Sequence, residues 1–307
     1  MDRLDAMKVL IVAVDEGGLA AAARKLGRSP AAVSRAIASL EARVGTELLH
    51  RTTRSIKLSE DGERYVAACR RVLTELEDAE VFAGGGRSAL SGTLSLTAPT
   101  FSGERVLLPI LDAFLSAYPA VSARLFLLDR MVNLIDEGID VALRFGNLAD
   151  SSMVATRVGE VRTVVVAAPS YLRKHPRIEE PSDLAKHQII ALAHFPSSWT
   201  FPPRSGSSVP RAVQLAPRLI FNSISAVLAS AVNGAGVARA YSYQVAENVR
   251  RGELEIVLAG DEDPPVPVHV MSPRGRLSVP RVRAFVDFAT PRLKSEFARR
   301  AQAFGDC

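Results

Sequence analysis

The stretch LAAAARKLGRSPAAVSRAIA, residues 19–38, decides how the first part of this chain is read. Leu19, Ala22, Ala23 and Leu26 recur at the i, i+3, i+4, i+7 spacing of a helix with one apolar face. Gly27 follows at the point where a helix can end in a left-handed residue, a state glycine enters without penalty. Ser29 is then placed to cap a second helix, and Pro30 falls in its first turn, where the missing N–H costs nothing. Val33, Ile37, Leu40 and Val44 give that second helix a buried face. Two short helices joined by a tight glycine turn, each with an apolar side, predict a helix-turn-helix.

The outward side carries the chemistry. Pro30, Ala31, Ser34, Arg35 and Ala38 lie opposite the apolar stripe. Small residues allow close approach to base edges, and an arginine can pair bidentately with guanine, a contact worth ~1–3 kcal/mol of discrimination. A lone arginine is more often a solvated surface charge, but Gly27, Ser29 and Pro30 stand in register ahead of this one. Further on, residues 45–58 read as two short strands about a basic tip, a wing. From Arg24 to Lys57 the acids are Glu41 and Glu47, against Arg24, Lys25, Arg28, Arg35, Arg43, Arg51, Arg54 and Lys57. Such an excess neutralises phosphates and makes affinity salt-dependent. The expected DNA-binding set is Arg28, Ser29, Pro30, Ala31, Ser34, Arg35, Arg51 and Arg54. Phosphate contacts set the register, while Arg35 and its neighbours read sequence.

Residues 21–27 (AAARKLG), 29–35 (SPAAVSR) and 51–54 (RTTR), with Ile37, Leu40-Glu41, Gly45, Leu48-Leu49 and LSEDG at 58–62, together resemble the LysR-type transcriptional regulators. The resemblance covers the whole N-terminal part, and the domain order after it is similar too. Two departures stand out. Gly18-Leu19-Ala20 occupies the place of a serine-phenylalanine-serine run common in the family. Ala36 stands where Gln or Arg is usual, which implies one DNA contact fewer.

Ser59 can cap a third helix, and Glu60, Asp61 and Glu63 suit its positive N-terminal end. Tyr65, Cys69, Val72, Leu76 and Ala79 then recur at heptad-like spacing over fewer than three heptads. The plainer reading is a surface helix packed on its own domain; the resemblance favours a dimer seam. A two-fold dimer matches one reading helix to each half of a palindromic site. Cys69 reads as a buried small residue, with redox sensing as a second reading. Gly84-Gly85-Gly86 then breaks the helix.

From Gly92 the pattern becomes strand-helix alternation. Strands are expected at 94–97, 121–128, 140–145, 161–168, 188–192, 212–221, 236–238, 254–258 and 266–271. Helices are expected at 106–118, 131–137, 223–233, 242–251 and from 279 onward. The fold class is therefore α/β overall, with a mainly α winged helix-turn-helix over 1–59 and a linker helix and hinge over 60–88. The resemblance implies that 89–307 form a two-lobed, periplasmic-binding-protein-like effector domain. Its lobe I would take about 89–162 and 266–300, and its lobe II about 163–265.

Ligand contacts in open α/β sheets gather at strand ends, and helix N-termini favour anions. Thr100, Phe101 and Ser102 follow one strand, Arg144 and Phe145 end another, and Asn222 and Ser223 begin a helix after a third. These seven are the expected effector contacts, and the effector is read as an anion such as a carboxylate. Taken singly, Thr100, Ser102 and Asn222 are equally good as plain caps, and Arg144 as the partner of an internal acid. Trp199 and Phe201 read as lobe packing, with His194 a minor contact.

Whole-chain properties agree. A length of 307 residues suits two domains, and 48% hydrophobic with 23% charged residues is ordinary globular composition. The net charge of +5 points weakly to a polyanion. Cys69 and Cys307 form neither a disulfide framework nor a zinc spacing. No leader and no run of 18 apolar residues is visible, so a cytoplasmic location is expected. His50, His175, His187, His194 and His269 lack metal spacing, Gly234 and Gly236 precede a strand, and 261–263 (DED) is a loop charge run. No G-x-S-x-G turn occurs. No enzyme, metal or cofactor is expected. The expected partners are double-stranded DNA, a small effector, a second copy in a homodimer or homotetramer, and RNA polymerase. A solute-binding transport receptor and an architectural DNA protein without an effector are the alternatives.

Overall fold

The computed structural model describes residues 2–51, 56–83, 90–146, 153–193, 198–203 and 208–302. Arg54, Gly84 to Gly86, His194 and Cys307 lie outside these residues. The chain divides into two compact units. The first is drawn from Met1–Leu96, Leu115–Val141 and Ser272–Arg283, the second from Thr97–Phe114, Ala142–Met271 and Ala284–Cys307.

The first unit begins with α1 (Arg3–Asp15), α2 (Leu19–Leu26) and α3 (Pro30–Val44). Gly27 ends α2 at φ +62°, ψ +32°. Ser29 caps α3, its Oγ accepting from the Ala32 N–H at 3.2 Å, with Pro30 in the first turn. Leu10 of α1, Ala22 and Ala23 of α2, and Val33, Ile37 and Leu40 of α3 share one buried cluster. One expectation needs correction: Val44 is 40% exposed rather than part of the buried face. Ala36, off the expected stripe, is fully buried in that cluster.

The wing follows as β1 (Leu49–Arg51) and β2 (Ile56–Leu58), antiparallel, with His50 opposite Lys57. Its root is tied twice. The Glu41 carboxylate accepts from the Leu48 and Leu49 N–H groups at 3.0 and 3.2 Å. Ser59 Oγ donates to the Glu47 carbonyl at 2.6 Å and accepts from the Gly62 N–H at 2.9 Å, capping α4 (Glu60–Ala83). On α4 the expected seam divides. Cys69 lies with Val66 and Leu73 in the core shared with α1, and Tyr65 packs against it. Val72 is 43% exposed and Ala79 is exposed. The first half of the helix crosses its own domain, so only the later positions remain for another surface. Burial raises the Cys69 thiol above its usual range.

The remaining elements are β3 (Gly92–Ala98), α5 (Thr100–Ser102), a π-helical turn (Gly103–Leu107), α6 (Leu108–Ala117), β4 (Val121–Leu127), β5 (Val141–Phe145), β6 (Met153–Val161), β7 (Thr163–Ala167), α7 (Pro169–Leu172), β8 (Ile189–Leu192), β9 (Ser198–Phe201), β10 (Arg211–Gln214), β11 (Pro217–Phe221), α8 (Ile224–Val232), β12 (Val237–Tyr241), α9 (Ser242–Arg250), β13 (Glu255–Val257), β14 (Val266–Pro273) and α10 (Pro280–Gln302). They form one sheet in the order β4-β3-β5-β14-β6, a second in the order β11-β8-β12-β7-β13, and the pair β9-β10. β8 runs parallel to β11 and β12, whereas β7 is antiparallel to β12 and β13. β12 is the central strand of the second sheet, the valine-rich β7 lies beside it, and Tyr171, Leu184 and Val227 pack into the same core.

Three local expectations differ from the structure. Residues 131–137 form turns rather than a helix, because the Asn133 side chain accepts from the Ile135 and Asp136 N–H groups. The strand expected over 212–221 is two strands, β10 and β11, which pair with different partners and are separated by residues 215–216. β6 was not expected; its exposed Val154 and Ala155 blur the alternation that marks a strand. Among the described residues no helix is long and apolar enough to cross a membrane.

Two glycines of the DNA-binding part make a graded test. At Gly27 a side chain meets open space but a left-handed backbone, so Gly27→Ala should lose roughly 1–2 kcal/mol. At Gly62 a Cβ would stand 2.0 Å from the Leu48 carbonyl oxygen, so Gly62→Ala should lose more. Urea unfolding followed by circular dichroism reads both, and equal losses would contradict the close approach at Gly62.

Candidate DNA-reading face and effector site

Capping and burial together orient α3. With Val33, Ala36, Ile37 and Leu40 buried, the opposite face presents Ser29, Pro30, Ala31 and Arg35, all exposed, with Ser34 half-buried beside them. The exposed Arg24, Arg43 and Lys57 supply further positive charge. Arg28 is engaged differently. Its guanidinium donates to both Asp5 carboxylate oxygens, at 2.8 and 2.7 Å, and this bonding holds the Asp5 carboxyl below its usual range. Lys25 likewise pairs with Glu16 at 2.5 Å. Asp5 of the first helix and Glu16 just after it thus engage the cations nearest the turn, while Arg35 stands outside these pairs. Arg51 lies at the end of β1, and Arg54 falls outside the described residues.

In the second unit the expected effector residues fall into three groups. Arg144 Nη2 donates to Thr97 Oγ1 at 3.1 Å, and Nη1 to the Leu143 carbonyl at 3.3 Å, so the guanidinium is set at the end of β3. His269 stands opposite it across the β5–β14 ladder. Phe101 and Phe145 meet through tyrosines: Phe145 stacks on Tyr241 and Tyr243 at 5.5 and 5.3 Å, and Phe101 meets Tyr243 edge-on at 5.9 Å. At the start of α8, Asn222 is exposed and Ser223 is half-buried, and the helix N-terminus has no side-chain cap. Thr100 is half-buried at the start of α5. Ser102 is a correction. It is fully buried, and its hydroxyl donates to the Pro99 carbonyl at 3.0 Å, so it faces the interior.

Tyr241 and Tyr243 were missed from sequence, where they lie either side of a strand-to-helix junction without periodic signature. Burial raises the Tyr241 hydroxyl above its usual range, which keeps it neutral and able to donate a hydrogen bond. The acids of 261–263, expected as a loop charge run, each take an arginine. Asp261 pairs with Arg211, Glu262 accepts from Arg162 at 2.6 and 2.7 Å, and Asp263 accepts from Arg239 at 2.6 Å. The Arg239 guanidinium also lies 5.8 Å from the Trp199 ring and 5.1 Å from Phe201. Those two rings are buried, as expected of lobe packing. Among the described residues no cluster of His, Cys, Asp and Glu could hold a metal ion.

The Arg28–Asp5 pair makes a prediction about salt. Asp5→Asn removes a negative charge from the reading face and releases Arg28 toward phosphate. The slope of log affinity against log salt should steepen by about one unit. Fluorescence anisotropy with a DNA duplex at several salt concentrations measures it, and an unchanged slope takes Arg28 away from the backbone.

Comparisons with known proteins agree with this geometry. The model of the bacterial regulatory helix-turn-helix protein, lysR family, matches residues 4–63, and that of the LysR substrate binding domain matches 87–294. A curated HTH-type transcriptional regulator of Xanthomonas campestris is 35% identical over 93% of this chain and 84% of its own length. The HTH-type transcriptional activator AaeR of Escherichia coli is 32% identical over 88% of this chain and 87% of its own. Among solved structures, the full-length virulence activator AphB of Vibrio cholerae matches with a TM-score of 0.65 at 25% identity, covering 94% of this chain and 98% of that one. CrgA of Neisseria meningitidis, a LysR-type transcriptional regulator, matches with a TM-score of 0.60 at 27% identity, covering 94% and 98%. The chain belongs to the LysR family of transcriptional regulators, with a helix-turn-helix DNA-binding domain followed by a two-lobed α/β substrate-binding domain.

Proposed function

We propose that the exposed face of α3 enters the DNA major groove, with Ser29, Pro30, Ala31, Ser34 and Arg35 at base edges. Arg51 and Arg54 then hold phosphates, and Arg28, engaged by Asp5, is the further phosphate contact that Asp5→Asn would release. The observation that carries this is the exposed Arg35 on a capped helix whose other side is buried. On this reading residues 1–59 bind DNA, 60–88 link and pair two copies, and 89–307 bind the effector. Exposed Val72 and Ala79 on α4 support the pairing, since a second copy can cover them.

The effector is read as a small organic anion. Arg144 held at the end of β3, the uncapped start of α8 at Asn222 and Ser223, and Thr100 offer donors and positive charge. Phe101 and Phe145 offer apolar surface. Switching requires the anion to bind one conformation of the dimer better than another. The setting is the cytoplasm, where DNA and RNA polymerase are at hand, and the chain acts as a regulator rather than an enzyme.

Two variants separate the roles of the basic residues. Duplexes selected from a random pool give a preferred site, and competition against random DNA gives a preference ratio. Arg35→Ala should lower that ratio by about 5- to 150-fold, the equivalent of ~1–3 kcal/mol. Arg54→Ala should weaken both kinds of DNA alike. If both variants weaken both duplexes equally, the division is wrong. For the effector, a thermal-shift screen of small organic acids against the full chain should find a stabilising ligand. Arg144→Ala should abolish the shift of at least one such acid with DNA binding intact, and retention of every shift found removes Arg144 from the site.

A further inference from the structure

A cavity of about 680 Å³ opens on the second unit among α8, α9, the π-helical turn after α5 and the end of α10. Of the expected effector residues it takes in Phe101 alone; Arg144 and Asn222 do not line it. Its size falls within the range of about 300–1,000 Å³ usual for small-molecule sites. Phe101, Leu228, Val232 and Ala246 give it apolar surface.

The rim is basic: Arg105, Arg250, Arg251, Arg299 and Arg300. Glu247 takes Arg250 at 2.7 Å and Arg251 at 2.8 Å, and Glu296 takes Arg299 at 2.8 Å and Arg300 at 2.7 Å. Five arginines therefore face two carboxylates, and three positive charges remain in excess. The hydrogen bond from Arg250, together with the charges of Arg250 and Arg251, holds the Glu247 carboxyl down at about 2. That excess is therefore constant across the working pH range.

Arginines on an exposed helix are ordinarily just solvated. Two features set this rim apart. The charges stand around a partly apolar hollow, and the hollow is braced. The Arg300 side chain, 19% exposed, donates to the Arg105 carbonyl at 3.1 Å and to the Tyr243 carbonyl at 3.4 Å. One partly buried guanidinium thus ties the end of α10 to two other walls, so the shape exists before any ligand arrives.

We propose that this groove is a second ligand site, distinct from the one at Arg144 although Phe101 borders both, for a small organic anion with an apolar body. An aryl or short acyl carboxylate fits it. The body lies on Phe101, Leu228 and Val232, and the carboxylate is held by rim guanidiniums in charge-assisted hydrogen bonds. A wholly apolar ligand would leave the charge excess unused, and inorganic phosphate would leave the apolar floor wet.

Isothermal titration of the full chain with 4-phenylbutyrate tests this, with neutral 4-phenylbutanamide as the matched control. An Arg144→Ala background removes binding at the other site, so failure here and failure of the effector reading are distinguishable. In that background 4-phenylbutyrate should still bind, with the amide about tenfold weaker or more. Arg105→Glu with Arg251→Glu removes the charge, and Ala229→Trp fills the hollow; each should weaken binding about tenfold or more. An unchanged thermal unfolding transition and circular dichroism spectrum of the full chain show that each variant folds. Three results would overturn the proposal: no heat in the Arg144→Ala background, equal affinity for acid and amide, or binding unaffected by both groove variants. Groove variants that change sedimentation while leaving 4-phenylbutyrate affinity intact would assign the surface to a second copy instead.

Discussion

The turn between α2 and α3 is the constraint on which the DNA-reading arrangement rests. Gly27 takes the left-handed backbone that lets the chain reverse, and Ser29 immediately satisfies an N–H at the start of the next helix. Neither feature reads DNA by binding strongly. Together they set the angle at which α3 leaves the core, and burial of Val33, Ala36, Ile37 and Leu40 then sets its rotation. Arg35 is exposed as a result of both. The same helix also fixes the wing, because the Glu41 carboxylate on its inner turn holds the two N–H groups that begin β1. The third helix and the root of the wing are tied together for a local reason.

Charge in this molecule is governed by its acids more than by its many arginines. Asp5 engages Arg28, Asp15 engages Arg70, and three consecutive acids at 261–263 engage three arginines of the second unit. These pairs cost desolvation and contribute modest stability where exposed. Their larger consequence is selection, since they settle which cations stay available to an anionic partner. On the first unit that leaves Arg35 facing outward; on the second it leaves the excess at the end of α10. A net charge of +5 is silent about this distribution.

Much of this was legible in the sequence, and the reason is locality. The Gly27–Ser29–Pro30 order, the Ser59 cap and the long charged helix follow from neighbours within one or two turns, and the structure has each of them. Legibility failed where a distant surface decides. Val44 fits the apolar stripe of α3 but no element covers it, while Ala36, off that stripe, is covered completely. Cys69 and Val72 read as one seam, yet α1 buries the first and not the second. Ser102 looked like a ligand donor until the Pro99 carbonyl took its hydroxyl. The Phe101, Phe145, Tyr241 and Tyr243 cluster joins segments more than 90 residues apart, and no spacing rule announces it.

The central claim is that the exposed side of α3 reads base edges in the wider groove. Methylation interference on a selected binding site tests it directly, because a methyl group on guanine N7 blocks the major groove and one on adenine N3 blocks the minor groove. Interference at guanine N7 in both half-sites, lost at the same guanine when Arg35 is replaced by alanine, is the predicted result. Interference confined to adenine N3, or guanine interference that persists without the arginine side chain, would contradict the account.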